Sequence, residues 1–144
     1  MNLGFTGTRD GLGEKQNAGL FIIVHKLKDD LKIKEIRHGG CKGGDTSFHL
    51  MLPPQYNNKI FIHPGDIQQF EFWNIQDGSF KVFEPRPYLE RNKDIVNPSD
   101  IMIVCPNGYK EKIRSGTWST YRYAKKRGKK IIIIYPNGSV KYEY

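Results

Sequence analysis

The residues of this chain best suited to chemistry sit in short glycine-rich stretches. "GFTGTR" (4–9) departs from the dinucleotide fingerprint GxGxxG. Its Gly7 lets a ligand approach the backbone without meeting a Cβ. Thr8 offers a hydroxyl, and Arg9 a guanidinium that can grip phosphate with two parallel hydrogen bonds. "HGGCKGGD" (38–45) sets Gly39, Gly40, Gly43 and Gly44 around Cys41 and Lys42. Such a loop can turn successive amides toward one anion. Asp45, at its end, either caps the next helix or holds a ribose hydroxyl. Pro64 belongs to a further turn, "HPGD" (63–66). In "RSGTW" (114–118), Ser115, Gly116 and Thr117 open a helix, and the free N–H groups and dipole of a helix start attract anions. Capping by Ser115 or Thr117 is compatible with this, because a cap leaves other amides free. Trp118 either packs in the core or stacks near a base.

These stretches share a location once the surrounding elements are read. Strands are expected at 2–7, 32–40, 59–63, 100–106 and 130–135. Between them, 13–29 repeats apolar residues at helical spacing through Leu20, Ile23, Val24 and Leu27. Helices are also expected at 45–52, stopped by Pro53-Pro54, at 88–96 after Pro87, and at 116–127. Strand–helix alternation means right-handed βαβ units on a mostly parallel sheet. The run "IIII" (131–134) suits a strand buried on both faces. The expected fold is α/β: a Rossmann-like open, mostly parallel sheet with helices on both faces, one domain over 1–144. In such sheets ligands bind beyond the carboxyl ends of the strands, where all four loops lie. Residues 65–83 form a divergent, aromatic-rich insertion; Phe70, Phe72 and Trp73 within it are read as packing or subunit contact.

Bulk properties narrow the partners. A net charge of +8 and a pI of about 9.5 favour anions: nucleotides, nucleic acid or acidic surfaces. Lys outnumbers Arg, and most of the Lys residues are read as solvated surface. No apolar run reaches the length of a membrane span, and no leader-like segment opens the chain, so a cytoplasmic location without membrane contact is expected. Cys41 and Cys105 are too sparse for a disulfide framework and are read as reduced thiols. His25, His38, His49 and His63 show no metal-like pairing, so neither metal nor cofactor is expected.

Taken in order, "GFTGTR", "HGGCKGGD", "PYLERNKDIVNPSDIMIVCP" and "RSGTWSTYRYAKKRGKKIIIIYPNG" resemble the superfamily joining the Smf/DprA nucleotide-binding domains with the LOG phosphoribohydrolases, called SLOG. The likeness covers nearly the whole chain apart from roughly 65–83. LOG enzymes carry an Arg-Lys pair on a helix and then a Pro-Gly-Gly-x-Gly-Thr-x-x-Glu loop. Arg91 matches the Arg, Asn92 stands where the Lys would be, and Gly116-Thr117 match the Gly-Thr. Thr120 occupies the Glu position, and Thr cannot manage the charge and protons of glycosidic hydrolysis.

The resemblance therefore implies a nucleotide or nucleotide-derived ligand, sensed or sequestered. Arg9, Arg91, the Gly39–Gly44 loop and Ser115–Thr117 would hold phosphate; Asp45 and Asn92 would hold ribose or a polar edge. One alternative is an N-glycosidase acting through another carboxylate (Asp10, Glu14, Asp45, Asp66 or Glu90). Another is single-stranded nucleic-acid binding in the manner of Smf/DprA. No catalytic residue is assigned, and a homodimer or larger homo-oligomer is expected.

Overall fold

The computed structural model describes residues 1–66 and 80–144. Phe70, Phe72 and Trp73 lie outside them. The elements run β1 (Asn2–Gly7), α1 (Glu14–Asp30), β2 (Glu35–His38), α2 (Gly44–Met51), β3 (Ile60–Ile62), β4 (Lys81–Val82), α3 (Tyr88–Val96), β5 (Ile101–Cys105), α4 (Gly116–Lys126), β6 (Lys130–Ile134) and β7 (Val140–Glu143). A 3-10 turn, Pro54–Lys59, leads into β3. The strands form one sheet in the order β4-β3-β2-β1-β5-β6-β7. All neighbours pair in parallel except β6 and β7. This is the Rossmann-like α/β sheet expected from the alternation of elements.

The isoleucine run shows why the sheet is covered on both sides in its central half. Ile132 and Ile134 join Leu3, Phe5, Leu20, Val24 and Phe48 in a core beneath α1 and α2. Ile131 and Ile133 join Met102, Val104, Trp118 and Tyr121 in a second core beneath α3 and α4. Successive strand residues face opposite ways, so a strand between two layers must be apolar throughout. Each fully buried isoleucine contributes about 2 kcal/mol.

Three differences from the sequence reading have simple causes. β2 is shorter than 32–40: its ladder with β1 begins where Asn2 meets Glu35, although Ile33 is still buried in the core. β7 was not anticipated. It returns antiparallel on β6 through a turn at Asn137 and Gly138, where Gly138 adopts φ 84°, a left-handed conformation that glycine accepts readily. The two-residue β4 carries too few residues to show a period. No helix among the described residues is long and apolar enough to cross a membrane.

Candidate functional site

The chain moves outward from β1 through β2, β3 and β4, then crosses back to β5 on the other side of β1. That reversal leaves a crevice beyond the carboxyl ends of β1 and β5, where loops diverge. A cleft of about 550 Å³ opens there. Ten of the residues singled out in the sequence line it: Gly7, Thr8, Arg9, Cys41, Asp45, Arg91, Asn92, Ser115, Gly116 and Thr117. Gly39, Gly40, Gly43, Pro64 and Trp118 are not on its wall.

The 38–45 loop turns its amides inward. Cys41 N–H donates to Asp45 Oδ2 at 3.1 Å, Gly40 N–H to His38 Nδ1 at 3.0 Å, and Gly44 N–H to the Thr8 carbonyl at 2.8 Å. Of these amides the Cys41 N–H meets the protein's own Asp45 carboxylate, while the other two are taken by His38 and Thr8. Asp45 does not cap α2, as the sequence suggested. The N-cap residue is Gly43, at φ 80°, and no side chain caps that helix. A Cβ on Gly43 would lie 2.6 Å from the Arg9 carbonyl oxygen, so the loop closes against β1 only with glycine there. Gly39 has a related role. A Cβ on it would strike the Arg91 guanidinium and lie 2.9 Å from Asp45 Oδ2.

Arg91 is buried behind the cleft. Its Nη1 donates to the carbonyls of Gly39 at 3.1 Å and His63 at 2.8 Å, and Nε donates to Asn92 Oδ1 at 3.0 Å. Both terminal nitrogens lie within 3.9 Å of Cys41 Sγ. The guanidinium therefore ties the ends of β2 and β3 together while its charge reaches the cleft. Burial pushes the Asp45 carboxyl up to about 6, against the opposing pull of Arg91 and the Cys41 amide. Burial, reinforced by Asp45, also raises the Cys41 thiol, which makes it a poor nucleophile.

Arg9 is exposed, and its guanidinium lies 4.3 Å from the ring centre of Tyr88. The Tyr88 ring in turn packs on Gly65, where no Cβ intervenes, with Arg91 4.9 Å from the same ring centre. The aromatic ring thus holds Arg9 at the cleft mouth. Across the cleft, Ser115 caps α4 by accepting from Trp118 N–H at 3.3 Å. The first amides of α4, on Gly116 and Thr117, have no partner among the described residues. Lys112 and Arg114 complete this wall, and with Arg9 they have no carboxylate partner among the described residues.

Trp118 lies in the second core, edge-on to Tyr121 at 5.3 Å, where it cannot stack on a ligand. Thr120 is buried and donates to the Gly116 carbonyl at 2.9 Å, so it is not on the cleft wall. Of the carboxylates considered for catalysis, Asp10 and Asp45 line the cleft; Glu14, Asp66 and Glu90 do not. Glu90 pairs instead with Arg86 and Lys93 on the outer face of α3. The sequence reading passed over Tyr88, Asn107, Lys112 and Arg114, all on the cleft wall. Lys112 and Arg114 were legible as cations just upstream of a helix start. Tyr88 carried no such signal, because a contact with Gly65 brings it in.

No protein-family model matches the chain, and no curated protein matches its sequence. Among solved structures, the chain is similar to DNA processing protein A from Helicobacter pylori, described for its single-stranded DNA binding mode. The likeness has a TM-score of 0.65 at 19% identity and covers 92% of this chain. The chain spans 64% of that protein's solved length. At this identity the likeness speaks for the fold.

Proposed function

We propose that the chain binds a nucleotide or nucleotide-derived ligand, its phosphate seated in the cleft between β1 and β5. The observation that carries this reading is that Arg9, Lys112 and Arg114, cations without carboxylate partners among the described residues, line the same cleft as the unbonded first amides of α4. A helix start that shares a cleft with unpaired cations is an anion site in physical terms. The volume of about 550 Å³ falls within the range of small-molecule sites. Asp45 and Asn92 line the same cleft as candidate partners for ribose hydroxyls. The resemblance to the SLOG superfamily points the same way, and a threonine at position 120 favours binding over glycosidic hydrolysis. Calorimetric titration with nucleoside mono-, di- and triphosphates and ADP-ribose tests the reading. At least one ligand should bind below millimolar and lose about tenfold or more in Arg9→Ala. No affinity better than about 1 mM, or −4 kcal/mol, for any member would end it.

A second reading, binding of single-stranded nucleic acid, is favoured by the net charge of +8 and by the function named for the Helicobacter pylori neighbour. Three phosphate contacts through Arg9, Lys112 and Arg114 would give a logarithmic salt slope of about −2. Raising salt from about 50 to 200 mM would then weaken binding roughly twentyfold. A flat salt profile for an oligonucleotide would count against it.

A further inference from the structure

β7 ends the sheet on one side and pairs with β6 alone, in the register that sets Ile134 opposite Val140 and Ile132 opposite Tyr142. One step closer to the turn, Tyr135 N–H donates to the Ser139 carbonyl at 2.9 Å. Bonded and unbonded pairs alternate along an antiparallel ladder. Ser139, Lys141 and Glu143 therefore turn their backbone groups toward β6, while Val140, Tyr142 and Tyr144 turn theirs outward. Those outward N–H and C=O groups meet no partner among the described residues. Residues 140–143 hold no proline, and their register against β6 is unbroken, so this edge lacks two devices that keep an exposed strand from pairing.

The side chains along this edge form two rows. Val140, Tyr142 and Tyr144 lie on the α1 side, because Ile134 and Ile132, their neighbours in β6, belong to the core beneath that helix. Tyr142 and Tyr144 are exposed, their ring centres 5.8 Å apart, and they border a groove of about 250 Å³ with Leu27 and Leu31 of α1. Lys141 and Glu143 lie on the opposite, α4 side, with Ile133 and Ile131 as their neighbours. Lys141 is exposed and pairs with Glu143 at 3.3 Å. Glu143 is held in place by the Tyr121 hydroxyl of α4, which donates to its carboxylate oxygens at 2.9 and 2.7 Å. Along the strand this row reads positive, then negative. An antiparallel copy of the same strand presents the reverse order.

We propose that β7 is a homodimerisation edge: a second copy of the chain adds its own β7 antiparallel, with Tyr142 on the two-fold axis, and two seven-stranded sheets become one. In this register Tyr142 meets its own copy, and Val140 meets Tyr144, as bonded pairs through their outward backbone groups. Lys141 of each copy then stands opposite Glu143 of the other, in the closer, unbonded pairs where side chains interact most. Sliding one strand by a single residue sets outward backbone groups against inward ones. Sliding it by two sets Lys141 against Lys141, or Glu143 against Glu143, which like-charge repulsion opposes. Hydrogen bonding and charge thus select one register, and the occupant that fits it is this same strand.

Sedimentation velocity from about 5 to 200 µM protein, at about 50 mM salt, tests the edge. The samples are wild type, Tyr142→Pro, Lys141→Glu, Glu143→Lys and an equal mixture of the last two, each checked for folding by circular dichroism. Wild type should dimerise. Tyr142→Pro should be monomeric, because proline removes an outward N–H and leaves the ladder with β6 intact. Lys141→Glu and Glu143→Lys each set like charges opposite one another and should each weaken the dimer about tenfold. The mixture should recover wild-type affinity, because the acidic row of one variant then meets the basic row of the other. Should Glu143→Lys fold poorly for want of its bond to Tyr121, Tyr142→Pro and Lys141→Glu still decide the matter. A wild type that is monomeric at about 200 µM overturns the proposal. So does a dimer that Tyr142→Pro or Lys141→Glu leaves at wild-type strength, and so does a mixture of folded variants that associates no better than its components.

Discussion

Asp45→Asn is the substitution whose consequence follows most directly from the structure. The carboxyl is buried, and its pKa rises from an ordinary 3.8 to about 6, with burial outweighing the pull of Arg91. The native state therefore holds the Asp45 proton more tightly than the unfolded chain. This contribution to stability is complete below about pH 3.8, is lost as pH rises toward 6, and is absent above it. A rise of about two pH units at about 1.4 kcal/mol each amounts to about 3 kcal/mol. Asparagine keeps an acceptor for the Cys41 amide and carries no charge, so it escapes that loss. The stability of Asp45→Asn relative to wild type should thus climb by about 3 kcal/mol between pH 4 and pH 8, or about 10 °C in Tm for a domain of this size.

The difference between the two proteins is the quantity to read. His63 is lowered to about 4 by burial and then by Arg37, and His38 is lowered by burial and then by His49. Buried neutral histidines make the native state lose stability as pH falls, opposing Asp45 in the same window. Wild type alone can therefore look nearly flat. Urea midpoints of both proteins at half-unit pH steps supply the comparison, and carbon-13 titration of the Asp45 carboxyl supplies an independent one. A stability difference constant from pH 4 to 8, with Asp45 titrating near 4, would refute the reasoning.

Gly39→Ala should destabilise by about 2 kcal/mol, because the new methyl group displaces the Arg91 guanidinium and crowds Asp45; thermal denaturation measures it. Arg91→Met should cost about 3 kcal/mol in urea denaturation, since the buried carbonyls of Gly39 and His63 lose their donor. Arg9→Ala should leave stability within about 0.5 kcal/mol of wild type, its side chain being exposed, while anion affinity falls about tenfold in calorimetry. Thr120→Glu, which restores the acid of LOG enzymes, should unfold the protein or cost more than about 3 kcal/mol rather than release free base from AMP, because position 120 is buried off the cleft wall.

The order of the elements from β1 to β6, β4 apart, the faces of the sheet and the edge at which loops gather were legible in the sequence. They follow from local rules: a 3.6-residue period in α1, an unbroken apolar run in β6, and glycine or proline at the strand ends. Ser115 as a cap was legible for the same reason, since a cap bonds within its own turn. The roles inside the loops were not. Asp45 reads as a cap by position, yet it lies inside α2 and accepts from the Cys41 amide, while Gly44 docks on the Thr8 carbonyl. Arg91 reads as a phosphate ligand, yet its donors serve the carbonyls of two distant strand ends. Tyr88 reads as nothing in particular until Gly65, 23 positions earlier, opens space for its ring beneath Arg9. Secondary structure and patterning are encoded within a few residues. Which buried polar group satisfies which partner depends on contacts between segments far apart in the chain, and only the assembled fold decides that.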